Sequence, residues 1–112
     1  MILERIVERK KEEVARLKKR GIFLPAEFIE DAFDPPRGFK RALEEYKGVA
    51  IIAEVKKASP SKGVICKNFA PKAIARNYQQ RGAQAVSVLT DVDFFQGSLV
   101  HLMQVRQTIS LP

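Results

Sequence analysis

Ile51-Ile52-Ala53-Glu54-Val55-Lys56-Lys57-Ala58-Ser59-Pro60-Ser61-Lys62-Gly63 is the stretch that decides the fold. It opens as a short apolar, β-branched run, which reads as a buried strand. It closes in a polar segment broken by Pro60, which stops the strand and opens a loop. Side chains alternate along a strand, so Ala50, Ile52, Glu54 and Lys56 share one face, and Ile51, Ala53 and Val55 the other. A carboxylate and an ammonium therefore meet at the C-terminal end of a strand, roughly 7 Å apart along it. Charges in a buried place are costly unless paired or used. Glu54 and Lys56 are the first candidates for function.

Outward from this stretch, the first strand covers residues 49–56. Residues 71–81 follow as a helix, with Pro71 at its first position and Gly82 just past its end. Ile74, Ala75 and Tyr78 form its inner face, and Ala70 stands at a cap position where Ser or Asp is worth about 1 kcal/mol more. Residues 85–90, Ala-Val-Ser-Val-Leu-Thr, read as a second strand. The loop 91–97 leads to a helix over 98–110, with Leu99, Leu102, Met103 and Ile109 expected inward. Strands alternating with helices predict a parallel sheet with right-handed crossovers. Both strands are apolar on both faces, as in a sheet covered by helices on one side and filled on the other. Two such strands leave edges and an apolar face uncovered, so the chain reads as the beginning of a larger fold.

Upstream, residues 1–20 read as a helix with a stripe of Leu3, Ile6, Val7, Val14 and Leu17, stopped at Gly21. Residues 22–36 form an irregular apolar connection, with a helical turn expected at 26–30. Residues 39–46 fit a short helix with Phe39, Ala42, Leu43 and Tyr46 inward, ended by Gly48. The division expected is a helical extension over 1–47 and the strand-bearing part over 48–112.

Composition excludes several classes. At 46% hydrophobic and 29% charged, the 112 residues suit one globular domain with a modest core. No apolar run approaches the roughly 18–20 residues that span a bilayer, so no membrane role is expected. The charged N-terminus is not a secretory signal. Cys66 is the single cysteine, which rules out an intrachain disulfide and offers no metal-ligand pattern; a cytoplasmic location is the default. The net charge of +7 invites a nucleic-acid reading. However, Glu4, Glu8, Glu12 and Glu13 interleave with the eight basic residues of 1–20, as on a solvated helix face with pairs such as Glu12–Arg16. No nucleic-acid partner is expected. Lys62-Gly63 lacks a Walker pattern, and His101 reads as a solvent-facing residue without a partner.

The run Ile52-Ala-Glu-Val-Lys-Lys-Ala-Ser-Pro-Ser-Lys-Gly63, together with Ser87-Val88-Leu89-Thr90-Asp91 and Phe94-Phe95-Gln96-Gly97-Ser98, resembles the indole-3-glycerol phosphate synthase family. The opening residues 2–10 and Phe39-Lys40-Arg41-Ala42-Leu43 are similar to that family's N-terminal helix and to the segment entering its first strand. The resemblance covers essentially the whole chain. It implies an α/β fold: the first two βα units of a (β/α)8 TIM barrel, preceded by an N-terminal helical extension and stopping before the third strand, against roughly 250 residues for a complete barrel.

The resemblance implies closure of the indole ring of 1-(2-carboxyphenylamino)-1-deoxyribulose 5-phosphate, with loss of carbon dioxide and water. The substrate is thus an anionic sugar phosphate bearing an anthranilate group, and neither metal nor organic cofactor is used. Glu54 matches a catalytic carboxylate and Lys56 a lysine that engages the anionic substrate. Ser59, Pro60 and Ser61 match the first loop over the site, and Phe95 the aromatic residue lining its anthranilate side. As bare residues, Glu54 and Lys56 also fit a structural ion pair, and Ser59 and Ser61 simple turn positions. Phe94 and Phe95 are not separated without the family. Cys66, Asn68, Ala70 and Asp91 depart from the residues commoner in relatives. The parts of the barrel beyond this chain hold the general-acid lysine, a second catalytic glutamate and the main phosphate-binding backbone, so little turnover is expected from the chain alone. Two alternatives stand beside this reading: a non-catalytic module that self-associates through open strand edges, and another phosphate-binding barrel such as phosphoribosylanthranilate isomerase. In either case the chain is expected to self-associate or to need the rest of a barrel.

Overall fold

The computed structural model describes residues 1–22, 26 and 35–112 and divides into two compact units, residues 1–34 and 35–112. The expected irregular connection and its helical turn fall almost wholly outside the described residues. In the first unit, α1 runs Ile2–Arg20 and buries none of its residues. Its charges pair along the surface: Arg9 with Glu12 at 2.9 Å, Lys10 with Glu13 at 2.7 Å and Lys11 with Glu8 at 2.7 Å. Glu12 thus meets Arg9 rather than Arg16, and the mixed charge is the solvated face expected of it. Lys18, Lys19 and Arg20 occupy the last turn, where cations complement the exposed carbonyls. Leu3, Val7, Val14 and Leu17 remain exposed.

The second unit runs α2 (Phe39–Glu44), β1 (Ile52–Val55), β2 (Ala58–Ser59), β3 (Gly63–Val64), α3 (Pro71–Gln80), β4 (Ala85–Val88) and α4 (Leu99–Thr108). β1 and β4 pair in parallel, with Ile52 opposite Ala85, Glu54 opposite Ser87 and Val55 opposite Val88. Both strands are shorter than the apolar runs that announce them. Ladder pairing requires both partners to be extended, and β1 leaves the sheet after Val55. The last ladder bond runs from the Leu89 N–H to the Val55 carbonyl at 3.0 Å.

Ala85 and Leu89 direct their amides to β1, so the Val86 amide faces the other edge. There it donates to the Pro112 carbonyl at 3.0 Å. After α4 the chain therefore returns to the sheet beside β4, opposite β1.

The core lies where α3 and α4 cover one face of this sheet. Val55, Ala75, Val105 and Ile109 are buried, ringed by Phe69, Ile74, Tyr78, Val86, Val88 and Leu111. α3 follows its expected pattern: Pro71 is at the first position, Ala70 makes no side-chain cap, and Ala75 is buried. α4 is capped by Ser98, whose hydroxyl oxygen accepts the Val100 amide at 3.1 Å.

The face that α4 buries differs from expectation. Ile109 is buried as expected, but Leu99 and Leu102 are exposed and Val105 is buried instead. The helix is apolar around much of its circumference, so periodicity does not choose a face; packing against α3 does. The guanidinium of Arg37 closes the end of α4, donating to the carbonyls of Arg106 at 3.0 Å, Ile109 at 2.5 Å and Leu111 at 3.1 Å.

Candidate active site

Glu54 and Lys56 project from the C-terminal end of β1, on the face away from α3 and α4. Val55, between them, is 1% exposed in the core, so strict alternation sends its neighbours to the other side. Lys56 Nζ stands 3.3 Å from Glu54 Oε1, and the two side chains are 35% and 47% exposed. The burial expected of this pair is thus corrected. The described sheet has two paired strands, and on the Glu54 face Ala85 is buried while Ile52 and Glu54 stay exposed. Even so, the juxtaposition is the one the alternation predicts.

The Ser59-Pro60-Ser61-Lys62-Gly63 segment is a tight hairpin rather than an open loop. β2 and β3 pair antiparallel, with Ala58 opposite Val64 and Ser59 opposite Gly63. Pro60 presets the backbone of the first corner, and the Ser59 hydroxyl oxygen accepts the Lys62 amide at 3.3 Å. Gly63 takes φ +63°, the left-handed position that closes a three-residue hairpin loop. Beyond the hairpin, the Ile65 and Cys66 amides both donate to the Lys57 carbonyl, at 2.8 and 3.2 Å. Pro60 and Ser61 are exposed and Ser59 half-buried.

At the end of β4, Asp91 organises the second loop. Its carboxylate accepts the Phe94 amide at 2.9 Å and its carbonyl accepts the Gly97 amide at 2.6 Å. This holds Phe94 and Phe95, both half-buried, beside the strand end.

Two features escape a reading by pattern. The Tyr78 hydroxyl donates to the Glu54 carbonyl at 2.8 Å; a tyrosine on an apolar helix face shows its ring's place but not its hydroxyl's partner. His101, expected to face solvent, is instead half-buried and lies edge-on against Phe69, with ring centroids 5.0 Å apart. Its Nδ1 is buried without a hydrogen-bond partner. Burial, reinforced by the positive charge of Lys57, holds the imidazole below its ordinary pKa of 6.5. His101 also lines a groove of about 640 Å³ with Phe69, Lys72, Ser98 and Gln104. That groove includes neither Glu54 nor Lys56.

A parallel strand–helix–strand–helix run with charged residues at a strand's C-terminal end fits the opening of a (β/α)8 barrel. Comparison with known proteins specifies which. The family model described as indole-3-glycerol phosphate synthase matches residues 3–112. The chain is 60% identical over 111 residues to the indole-3-glycerol phosphate synthase of Desulfotalea psychrophila, a match that covers 99% of the chain and 43% of that relative. The chain belongs to the indole-3-glycerol phosphate synthase family, a lyase family of tryptophan biosynthesis, and spans less than half the length of this relative. Among the described residues no helix is long and apolar enough to cross a membrane.

Proposed function

We propose that this chain supplies the first two βα units of an indole-3-glycerol phosphate synthase active site, acting on a carboxyphenylamino-deoxyribulose phosphate in the cytoplasm. The observation that carries the reading is the Lys56–Glu54 pair, 3.3 Å apart at the C-terminal end of β1, where barrel enzymes place their chemistry.

Lys56 neutralises the substrate carboxylate and stabilises the charge that develops as carbon dioxide leaves. Glu54 stands beside the lysine and moves protons during loss of water. The Ser59-Pro60-Ser61 hairpin closes the near side of the site, and Phe95 lines the anthranilate side. Acid/base and electrostatic groups act as a unit, so the activity belongs to the complete barrel and the chain alone turns over little or no substrate.

Mixing the chain with a separately made piece carrying the remaining strands tests this. Indole-glycerol phosphate should form, and Lys56→Ala should abolish it. A stable complex without product would overturn the reading. A second reading, self-association, draws support from the exposed Val49, Ile51 and Ile52 at the start of β1. Mass in solution decides it: a symmetric dimer or tetramer favours assembly, and an ordered monomer removes it.

A further inference from the structure

We infer that Tyr78 is a positioning residue for the Glu54 carboxylate, an inference that rests on reading Glu54 as catalytic. Along β1, the carbonyls of Ile51 and Val55 face β4 and accept its amides. By the two-residue alternation of a parallel strand, the Glu54 carbonyl faces the opposite edge. There the Tyr78 hydroxyl donates to it at 2.8 Å. The consecutive peptide units after Glu54 and Val55 are therefore held from opposite sides, one by a side chain of α3 and the other by the Leu89 amide of β4. Fixing those two planes sets the backbone torsions of Val55, and with them the relative orientation of the two peptide units that carry Glu54 and Lys56.

The tether is stiff. The Tyr78 ring packs against the core that contains Val55 and Ala75, and a tyrosine side chain has only two torsions, both restrained by that packing. It acts where the strand is least secured, because β1 has only four residues and, among the described residues, pairs with β4 alone. A carbonyl has two lone pairs, so the tyrosine leaves one free for a further strand along that edge. Tyr78 bonds the backbone carbonyl of Glu54 and acts through it.

Tyr78→Phe removes the hydroxyl and keeps the ring, so the core remains filled. In the chain as it stands, the ¹³C carbonyl shift of Glu54, read through the Val55 amide, should move upfield in this variant. In the barrel assembled with the remaining strands, Tyr78→Phe should lower kcat roughly tenfold and change KM less than about twofold, as expected when a reacting group is misplaced but substrate contacts are kept. A merely structural hydroxyl would leave kcat where it was. An unchanged carbonyl shift overturns the inference, as does parental kcat in Tyr78→Phe when Glu54→Gln is inactive. A Glu54→Gln barrel as active as its parent overturns instead the catalytic reading of Glu54, and the inference with it.

Discussion

Gly97 approaches Leu89 so closely that a methyl group on its Cα would stand 2.3 Å from the Leu89 carbonyl oxygen and 2.8 Å from the carbonyl carbon of Thr90. The obstruction is backbone, which cannot rotate away as a flexible side chain would. Gly97→Ala should therefore lift the 91–97 loop off the end of β4, weakening the 2.6 Å bond from the Gly97 amide to the Asp91 carbonyl. The expected cost is about 1–3 kcal/mol, read as a lower urea midpoint. An unchanged midpoint would show that the loop relaxes freely.

Arg37 joins the start of the second unit to its end. One guanidinium satisfies three carbonyls around the C-terminus of α4, where a cation also complements the helix dipole. Arg37→Met should cost about 2 kcal/mol and speed hydrogen exchange at the Val86 amide, whose partner is the Pro112 carbonyl. Arg37→Lys should recover only part of the loss, because an ammonium lacks the planar fork of donors. Full recovery would mean that charge, not geometry, holds the chain end.

How much of this was legible depended on whether local pattern or tertiary contact made the choice. α3 is announced by Pro71, its apolar spacing and Gly82, and the alternation around Val55 alone places Glu54 and Lys56 together. α4 revealed only part of its buried face: Ile109 was legible, but Leu99, Leu102 and Val105 are equally apolar and only contact with the core selects Val105. The hairpin at Pro60 was hidden because each of its strands is two residues long, too short for any period. The partners of Tyr78 and His101 lie on other elements, at separations no local pattern reports.

His101 predicts a pH dependence with a definite sign. Its folded-state pKa lies below the ordinary 6.5 because burial, and then Lys57, disfavour the imidazolium. The unfolded chain thus binds a proton at a higher pH than the folded one. The neutral imidazole's contribution is fully present above about pH 6.5 and is lost as pH falls through the lower folded-state pKa. Urea midpoints at pH 7.5 and pH 5 should differ less in His101→Phe than in the parent chain. An equal difference in both would assign the acid sensitivity to carboxylates instead.

The Glu54–Lys56 pair is open to both a structural and a functional reading, and its exposure allows the two to be separated. At 47% and 35% exposure, water screens the attraction, and such pairs contribute about 0.2–1 kcal/mol. Neither partner fills the core, which lies on the other face of β1 around Val55. Glu54→Gln and Lys56→Met should therefore each shift stability by less than about 1 kcal/mol, whereas Val55→Ala should cost about 1–3 kcal/mol. The same two charge variants should abolish product formation in the assembled barrel, because the proposed chemistry draws on both charges. A large stability loss with turnover intact would make the pair a structural clasp. Loss of turnover on an unperturbed fold is the outcome expected of residues that hold charge at a strand end for chemistry.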